Sequence, residues 1–477
     1  MSPAHPRRWA ALAVIALAQF IVIMDTSIIG VALPEIQADL GFSPDALSWV
    51  FNAYVIAFGG LLLLGGRLSD LLGPQRVFSA GWAILAVGSL AAGLAGSVGV
   101  EVAARALQGV GAALIAPSAL ALIIALFGAE PKELMKAFAV YGAASPAGGT
   151  AGVFLGGVIT EWISWPWVFY INIPIAIAVL VAAPRVMPRL ERRSGAIDWW
   201  GAITATAGLA LVVFGVVRAP EEGWGSAATL LSLAAGAVLL GAFLVLQANR
   251  RVPLVRLAIF RAPNLAAANG VMLLLGAAWI PTWFFLNLYL QQVLGLGAFA
   301  GGAALLPMTL TVMVLILAVT PRVIGWIGPK ATIVGGLFVL GLGMVLLSLI
   351  RADGSFAADV LPGSVIAAAG MALPFIPALN TAISAAPPEE GGLASGIVNT
   401  SYQVGSAIGL AVMTVIANGQ GATDLGNPAA LTDGYSAVFV GAAAIAVAGA
   451  LLGLVALRGS AAAGSDAEAG TPAGDAA

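Results

Sequence analysis

The chain has 477 residues, of which 60% are hydrophobic and 9% are charged, whereas an ordinary soluble domain has roughly 25% charged residues. Its 20 basic and 22 acidic residues are too few to cover a soluble protein of this size, so the composition indicates an integral membrane protein. The net charge of −2 and the lack of a basic face argue against nucleic-acid binding. There is no cysteine, and the single histidine is His5 in the polar N-terminal tail, which excludes disulfides, thiolate chemistry and multi-histidine metal sites.

Apolar runs of about twenty residues, each long enough to cross a bilayer, follow one another along the chain. Charged or turn-rich segments separate them. The first run is too long for a signal peptide and no cleavage motif follows it, so we expect a retained helix. The fourteen predicted spans are residues 10–33, 49–66, 77–97, 100–125, 137–159, 167–184, 198–217, 228–248, 265–289, 300–320, 331–350, 360–384, 392–416 and 435–457.

The basic residues orient these spans. With the N-terminus in the cytoplasm, seventeen of the 20 Lys and Arg residues fall on the cytoplasmic side, as the positive-inside rule requires. Arg218 and Arg351 fall outside, and Arg105 lies within a span. Because a miscounted span would invert every later loop, the pattern favours an even number of spans with both termini cytoplasmic. We expect a multi-pass protein of the cytoplasmic (inner) membrane.

The two longest basic connections, Pro184–Ile197 and Arg250–Pro263, divide the spans into groups. They bracket one helix pair and leave six spans on either side. The predicted fold is therefore all-α, with two six-helix bundles and an inserted hairpin. The expected segments are a cytoplasmic tail (1–9), an N-terminal bundle (10–184), linker loops with the inserted pair (185–263; helices 198–217 and 228–248), a C-terminal bundle (264–457) and a disordered cytoplasmic tail (458–477).

Ionisable residues inside the predicted spans are rare, and each is costly unless it is paired or hydrated. Asp25 interrupts the apolar first span, while Arg105 lies about one turn inside the fourth, between Glu101 and Gln108. Burial favours a neutral carboxyl group and a nearby cation favours a charged one, so Asp25 is a candidate proton carrier. Two structural alternatives stay open: a helix-end cap or bend at Asp25 before Pro34, and an ordinary (i, i+4) ion pair between Glu101 and Arg105.

Uncharged polar and aromatic side chains also occur within the spans. They suit a cavity for amphipathic organic molecules, although hydrogen bonds between helices explain scattered Asn and Gln about as well. The candidate cavity residues are Gln19, Asn52, Tyr54, Gln108, Trp283, Asn287, Asn380 and Tyr402.

The fifth span carries glycines at a spacing of four. Gly148, Gly152 and Gly156, followed by Gly157, would let another backbone approach closely. Ordinary tight packing between membrane helices gives the same pattern.

The loop between the second and third spans runs from Gly66 to Arg76. Its Gly73–Pro74 step predicts a tight turn. Asp70 can form charge-assisted hydrogen bonds with Arg67 and Arg76 across the cytoplasmic face. A generic basic cytoplasmic loop is the alternative.

These segments resemble the major facilitator superfamily, and in particular its fourteen-span drug:proton antiporters. The resemblance extends over nearly the whole chain except the two tails. Four positions depart from the family motifs: Gly30 stands where Asn is usual, Pro74 and Gln75 where basic residues are usual, and Val153 where Pro is usual. The matching segments are Asp25–Pro34, Gly66–Arg76, Arg105–Gly111, Gly148–Gly157, Ile197–Gly201 and Ala394–Thr400.

The resemblance implies two bundles around a central cavity that rock to alternate access. It places Asp25 and Arg105 near the substrate path, and we expect these two residues, with Glu101, to take part in proton coupling. It further implies that the loop with Gly66, Arg67, Asp70, Gly73 and Arg76 gates the cytoplasmic side, and that the fifth-span glycines seal the bundle interface. The implied function is proton-coupled efflux of amphipathic compounds such as drugs or antibiotics. The expected partners are a small-molecule substrate, protons and the lipid bilayer; no cofactor, metal or catalytic residue is expected, and the chain is expected to act as a monomer.

Three other functions stay open on the sequence. A uniporter or proton symporter for a small organic metabolite would share the fold and most of the motifs. A membrane transferase for lipid or polyprenyl substrates needs clustered Asp, Glu, Lys or His near one interface, and the sequence has no such cluster. A receptor or sensor would bind a ligand without transporting it.

Overall fold

The structure is a computed structural model that describes residues 7–128, 130–188, 198–250, 253–386 and 391–458. These residues form helices and turns, with no β-strand among them. The long helices are α1 (Arg8–Leu40), α2 (Trp49–Leu72), α3 (Pro74–Gly93), α4 (Val98–Phe127), α5 (Pro131–Trp162), α6 (Asn172–Val186), α7 (Trp199–Glu222), α8 (Ala227–Asn249), α9 (Leu265–Leu288), α10 (Ala298–Val314), α11 (Thr320–Leu347), α12 (Leu361–Ala385), α13 (Gly391–Gly419) and α14 (Pro428–Ala456). Shorter helical segments are Pro44–Leu47, Trp167–Tyr170, Leu257–Arg261, Tyr289–Val293, Leu315–Val319 and Phe356–Val360.

Twelve segments of the described residues are long and apolar enough to cross a membrane by length and composition. One of them, Ala298–Leu347, has 50 residues and contains both α10 and α11. It is broken at Gly328, whose φ of 79° and ψ of 166° are not helical. This break falls between the spans predicted at 300–320 and 331–350. Helix α5 has 32 residues but is not among the twelve, so the count of fourteen spans stays a prediction.

The turn between α2 and α3 shows how the sequence ends a helix. Gly73 has a φ of 92°, a region that glycine enters without steric cost. Pro74 then occupies the first turn of α3, where a missing backbone N–H breaks no helical hydrogen bond. The tight turn therefore lies where the Gly73–Pro74 step predicts it.

The long helices pack in two groups. Helices α1–α6, here the N-terminal group, contact one another chiefly through the pairs α1–α5, α2–α4 and α3–α4. Helices α9–α14, the C-terminal group, do so through α9–α13, α9–α14 and α11–α12. The groups meet where α5 lies against α10 and α2 against α13. Helices α7 and α8 pack on each other, and α7 also contacts α2 and α13.

The N-terminal group has two ends that we name for reference. At the N-terminal face, where α1 begins, Arg8 pairs with Glu133 at the start of α5 at 2.6 Å. At the opposite face, where α1 ends, the Trp165 indole N–H donates to Asp39 Oδ2 at 2.8 Å. Most residues of the predicted tails (1–9 and 458–477), and 189–197 of the first basic connection, lie outside the described residues.

Candidate functional site

Asp25 lies in the middle of α1 and is only 1% exposed. Helix α1 continues past Pro34 to Leu40, so Asp25 is not the cap of a helix end. Its Oδ2 accepts a hydrogen bond from Arg105 Nη1 at 2.7 Å. Its Oδ1 accepts from Asn172 Nδ2 at 2.6 Å and from Gln108 Nε2 at 3.2 Å. Donors from α4 and α6 thus satisfy both oxygens, as a carboxylate buried away from water requires.

Arg105 is fully buried and holds three helices together. Besides the bond to Asp25, its Nη1 donates to Gln108 Oε1 at 2.7 Å, and its Nε donates to the Val50 carbonyl oxygen at the start of α2 at 3.0 Å. The guanidinium carbon also lies 4.7 Å from the centre of the Tyr54 ring, a favourable cation–π distance. Its Nη2 has no hydrogen-bond partner among the described residues.

Glu101 lies one turn before Arg105 on α4 and is fully buried. Neither of its carboxyl oxygens has a hydrogen-bond partner in the part of the chain that the structure describes. The ion pair of Arg105 is with Asp25, at 2.7 Å with both side chains fully covered. In this structure an ordinary pair between Glu101 and Arg105 is therefore not the explanation of these residues.

Two residues of the cluster are not among the candidates from the sequence. Ser89 of α3 accepts from Gln108 Nε2 at 2.8 Å and from Asn172 Nδ2 at 3.2 Å, so it joins the two amides that hold Asp25. Asn172 has a weak sequence signal, since it is a single amide in the apolar segment Trp167–Val186. Ser89 has none, because a serine costs little in a membrane helix.

The predicted cavity residues of the N-terminal group divide into two sets. Tyr54 and Gln108 belong to the Asp25 cluster, and Asn52 is buried nearby on α2 with no hydrogen-bond partner among the described residues. Gln19 lies apart from them. Its side chain accepts from Tyr141 at 2.7 Å and donates to Ser145 at 2.8 Å, and both partners are on α5.

The predicted cavity residues of the C-terminal group are dispersed. Asn287 is buried and donates to the carbonyl oxygen of Trp283 on its own helix at 3.1 Å. The Tyr402 ring packs edge-on against Phe375 at 5.6 Å. Asn380 is exposed on α12. Of these residues, Trp283 is the one that the structure places against the N-terminal group.

Trp283 packs into a space that a glycine leaves open. A Cβ atom added to Gly30 of α1 would lie 2.0 Å from Cη2 of the Trp283 indole, far inside van der Waals contact. The same indole meets the Phe51 ring of α2 edge-on at 5.6 Å. Gly30, which departs from the usual Asn, is thus what allows α9 to place an aromatic ring against α1, five residues beyond Asp25.

The fifth-helix glycines face mainly α1. A Cβ at Gly148, Gly152 or Gly156 would lie 2.3–2.8 Å from the α1 carbonyl oxygens of Phe20, Met24 or Ile28. Gly157 instead contacts the start of α10, at Phe299 and Ala298. The close packing predicted for this motif is therefore chiefly internal to the N-terminal group, and Gly157 extends it to the other group.

The predicted gating residues lie at the N-terminal face. Gly66 and Arg67 belong to the last turns of α2, and Gly73 forms the turn. Asp70 and Arg76 are both exposed. Among the described residues no ion pair joins Asp70 to Arg76. The gating role stays a prediction.

At the opposite face the two helix groups are joined by hydrogen bonds. Gln292 of the π-helical turn after α9 donates to Gln37 Oε1 on α1 at 2.9 Å and accepts from the Tyr435 hydroxyl on α14 at 2.6 Å. Beside it, Gln291 donates to the Val31 carbonyl oxygen at 3.0 Å. We call Gln37, Gln291, Gln292 and Tyr435 the glutamine seal.

A second junction at this face joins α5 and α10. Glu161 Oε2 accepts the Phe299 backbone N–H at 3.2 Å in the first turn of α10, where a negative charge is favourable. The Trp162 ring stacks on Phe299 at 5.0 Å. Together with the glutamine seal, this junction joins the two groups at the opposite face.

The sequence profile of the Major Facilitator Superfamily matches residues 15–410 of the chain. The chain belongs to the Major Facilitator Superfamily. It is 40% identical over 446 residues to the cephamycin export protein CmcT of Amycolatopsis lactamdurans, with 93% of this chain and 91% of that protein covered. It is also 37% identical over 462 residues to the puromycin resistance protein pur8 of Streptomyces alboniger, with 94% and 90% covered.

Solved structures of other transporters share the fold. The peptide transporter PepTSo, of the POT family, superposes with a TM-score of 0.67 at 15% identity, covering 94% of this chain and 97% of that one. The nucleoside transporter NupG gives a TM-score of 0.66 at 13% identity, covering 94% and 100%. The chain is therefore a multi-pass membrane transporter with the superfamily fold, and its relatives export antibiotics or confer resistance to them.

Proposed function

We propose that this transporter exports amphipathic organic compounds of the antibiotic class in exchange for protons. The relatives that are 37–40% identical bear the names of a cephamycin exporter and a puromycin resistance protein. The observation that carries the coupling is the fully buried pair of Asp25 and Arg105 on α1 and α4. A carboxylate in this position exchanges a proton only when its surroundings change, which is what coupling to a conformational cycle requires.

The proposed cycle is alternating access by two six-helix bundles. Helices α1–α6 and α9–α14 are the bundles, and α7–α8 are an inserted pair. In the structure the glutamine seal and the Glu161–Phe299 contact join the two bundles at the opposite face. Outward opening separates these contacts, exposes the buried cluster of Asp25 to external protons and weakens the pairing of Asp25 with Arg105. Inward opening returns the proton to the cytoplasm and loads substrate, with Asp70 and the Gly73 turn as part of the gate.

The proposed topology has fourteen spans, α1–α14, with both termini in the cytoplasm. We expect the protein to lie in the inner membrane as a monomer. The absence of cysteine makes this testable with single introduced thiols. Gly225→Cys lies between α7 and α8, and Pro263→Cys lies before α9; both positions are exposed. A membrane-impermeant maleimide added to intact cells should label the first and not the second. Labelling of Pro263→Cys, or protection of Gly225→Cys, would contradict the proposal.

The function is tested in proteoliposomes with an imposed pH gradient, using cephamycin and puromycin as probes. Asp25→Asn keeps the shape of the side chain but cannot carry a proton, so gradient-driven transport of a transported probe should fall to the background of empty vesicles. Asp198→Asn is the matched control. Asp198 is equally buried, at 2%, but it accepts from the Gly201 N–H at 2.9 Å and from Gln247 at 2.8 Å at the start of α7.

Each outcome of this assay separates the candidate functions. Proton flux opposite to substrate, lost in Asp25→Asn and kept in Asp198→Asn, supports antiport. Proton and substrate fluxes in the same direction would show a symporter, and flux without a gradient dependence would show a uniporter. Gradient-driven transport that persists in Asp25→Asn would remove Asp25 from the coupling.

A further inference from the structure

The charges buried in the N-terminal group do not sum to zero if all of the buried ionisable side chains are charged. Of the described Asp, Glu, Lys and Arg residues of this group, Asp25, Glu101 and Arg105 are the buried ones. Arg105 keeps its charge in proteins. Two ionised carboxylates beside one guanidinium would leave an uncompensated negative charge in an apolar interior, which is strongly unfavourable. One of the two carboxyl groups is therefore neutral.

The hydrogen bonds indicate which one is neutral here. Asp25 accepts from three donors, including the guanidinium of Arg105, so it is placed as the anion. Glu101 has no hydrogen-bond partner on either oxygen among the described residues. A neutral carboxyl group tolerates burial without partners far better than a carboxylate does. The proton of this cluster therefore lies on Glu101 in this conformation.

We propose that Asp25 and Glu101 share a single proton, with Arg105 as the counter-ion of whichever is ionised. Glu101 is four residues before Arg105 on α4, a spacing that brings side chains together on one helix face. The second guanidinium nitrogen, Nη2, is buried and has no partner among the described residues. It is thus free to pair with Glu101 when Asp25 is protonated. In that exchange Glu101 loses the proton that Asp25 gains, Arg105 stays charged, and the net charge of the cluster stays at zero.

The groups around Glu101 are consistent with this exchange. Arg105 lies one turn away on the same helix, and Asp25 of α1 pairs with Arg105 at 2.7 Å. The Tyr54 ring from α2 faces Arg105, and its hydroxyl group has no partner among the described residues. From α3 and α6 the cluster receives the uncharged Ser89 and Asn172. Within the described part of the chain no ion pair joins Asp25 or Glu101 to a second cation, so one proton per cluster follows from these residues.

The proposal is tested by infrared spectroscopy of the purified full-length protein in lipid at neutral pH, without substrate or gradient. Exposed carboxyl groups are ionised at this pH, so the carbonyl stretch of a protonated acid reports a buried one. The wild type should show one such acid and Glu101→Gln none. Asp25→Asn should also show none, because Glu101 then ionises to neutralise Arg105. Glu35→Gln, an exposed change on α1, should keep the wild-type band.

The Asp25→Asn result separates a shared proton from a neutral Glu101 that merely fills space. If the band persists in Asp25→Asn, the proton does not depend on the pair and the proposal is overturned. A wild type without the band, or Glu101→Gln with it, overturns it equally. Arg105→Gln offers a second check, since both carboxyl groups should then be neutral and the band should roughly double. The shared proton rests on the proposed function only for its role in transport. The infrared bands of the variants can therefore follow the expected pattern even if the transport assay shows no proton coupling.

Discussion

The two helix groups differ in the side chains that they bury. The N-terminal group buries one cation and two carboxyl groups, and the hydrogen-bond network around Asp25 and Arg105 includes five helices of the group, α1, α2, α3, α4 and α6. In the described C-terminal group the well-covered carboxylate, Asp359, pairs instead with the exposed Arg351 at 2.7 Å. The C-terminal group buries several aromatic side chains in α9 and the turn after it, Trp279, Trp283, Phe284, Phe285 and Tyr289, and Trp283 packs against Gly30 of α1.

This difference indicates how a transporter of two bundles can hold a buried charged site. A buried charge needs donors that do not move relative to it, and the N-terminal group supplies them all internally. Aromatic side chains do not need hydrogen-bond donors at fixed positions, so α9 can contact α1 and separate from it as the bundles rock. We therefore expect changes in the N-terminal group to affect stability and proton coupling. Changes in the C-terminal group should shift the conformational equilibrium.

Arg105→Ala should give the largest effect. It leaves Asp25 buried without its cation, which costs about 3–5 kcal/mol of unfolding free energy, and transport should be abolished. Arg351→Ala removes an exposed cation from Asp359, which keeps the hydrogen bond from the Ser355 N–H at 2.7 Å, and should stay near the wild type because an exposed charge is screened by water. Thermal unfolding of both variants in the same lipid measures the contrast. Equal losses would mean that burial does not distinguish the two groups.

Gly30→Asn tests the contact between the groups. The new side chain would occupy the space of the Trp283 indole, and overpacking of this kind costs about 1–3 kcal/mol. The closed opposite face should be destabilised and transport should slow. Because the clash is with one ring, Gly30→Asn with Trp283→Ala should recover much of the rate, whereas Trp283→Ala alone leaves a cavity. Failure of the second change to rescue the first would show that Gly30 acts through α1 alone.

Tyr435→Phe should give the smallest effect of the three. It removes the hydrogen bond to Gln292 at 2.6 Å and keeps the buried ring, which costs about 0.5–1.5 kcal/mol. The expected result is a several-fold shift toward an open opposite face. Spin labels at Ser43→Cys and Gly426→Cys, both exposed at that face, would report it as a longer distance between the groups. An unchanged distance distribution would remove the Tyr435 bond from the seal.

Much of the site could be found from the sequence, residue by residue. Asp25, Arg105 and Gln108 stand out because a polar group in an apolar span is costly. Their arrangement could not be found in this way, since Asp25 and Arg105 are 80 residues apart in the chain. Ser89 gives no such signal in the sequence, because serine is common in membrane helices. The same rule predicts both Asn287 and Asn380 as cavity residues. Asn380 is exposed, because apolar periodicity does not reveal which helix face meets a neighbour.

The sequence by itself determined that the chain is a helical membrane protein with rare buried charges, because hydropathy over twenty residues is a local property. It also contained the motifs that belong to the superfamily. The tertiary structure shows that Arg105 of α4 pairs with Asp25 of α1 and not with Glu101, which lies one turn away on its own helix. It likewise decided that the indole of Trp283 packs against Gly30. Both choices depend on how the helices pack, and packing is set by the whole set of contacts and not by any one segment.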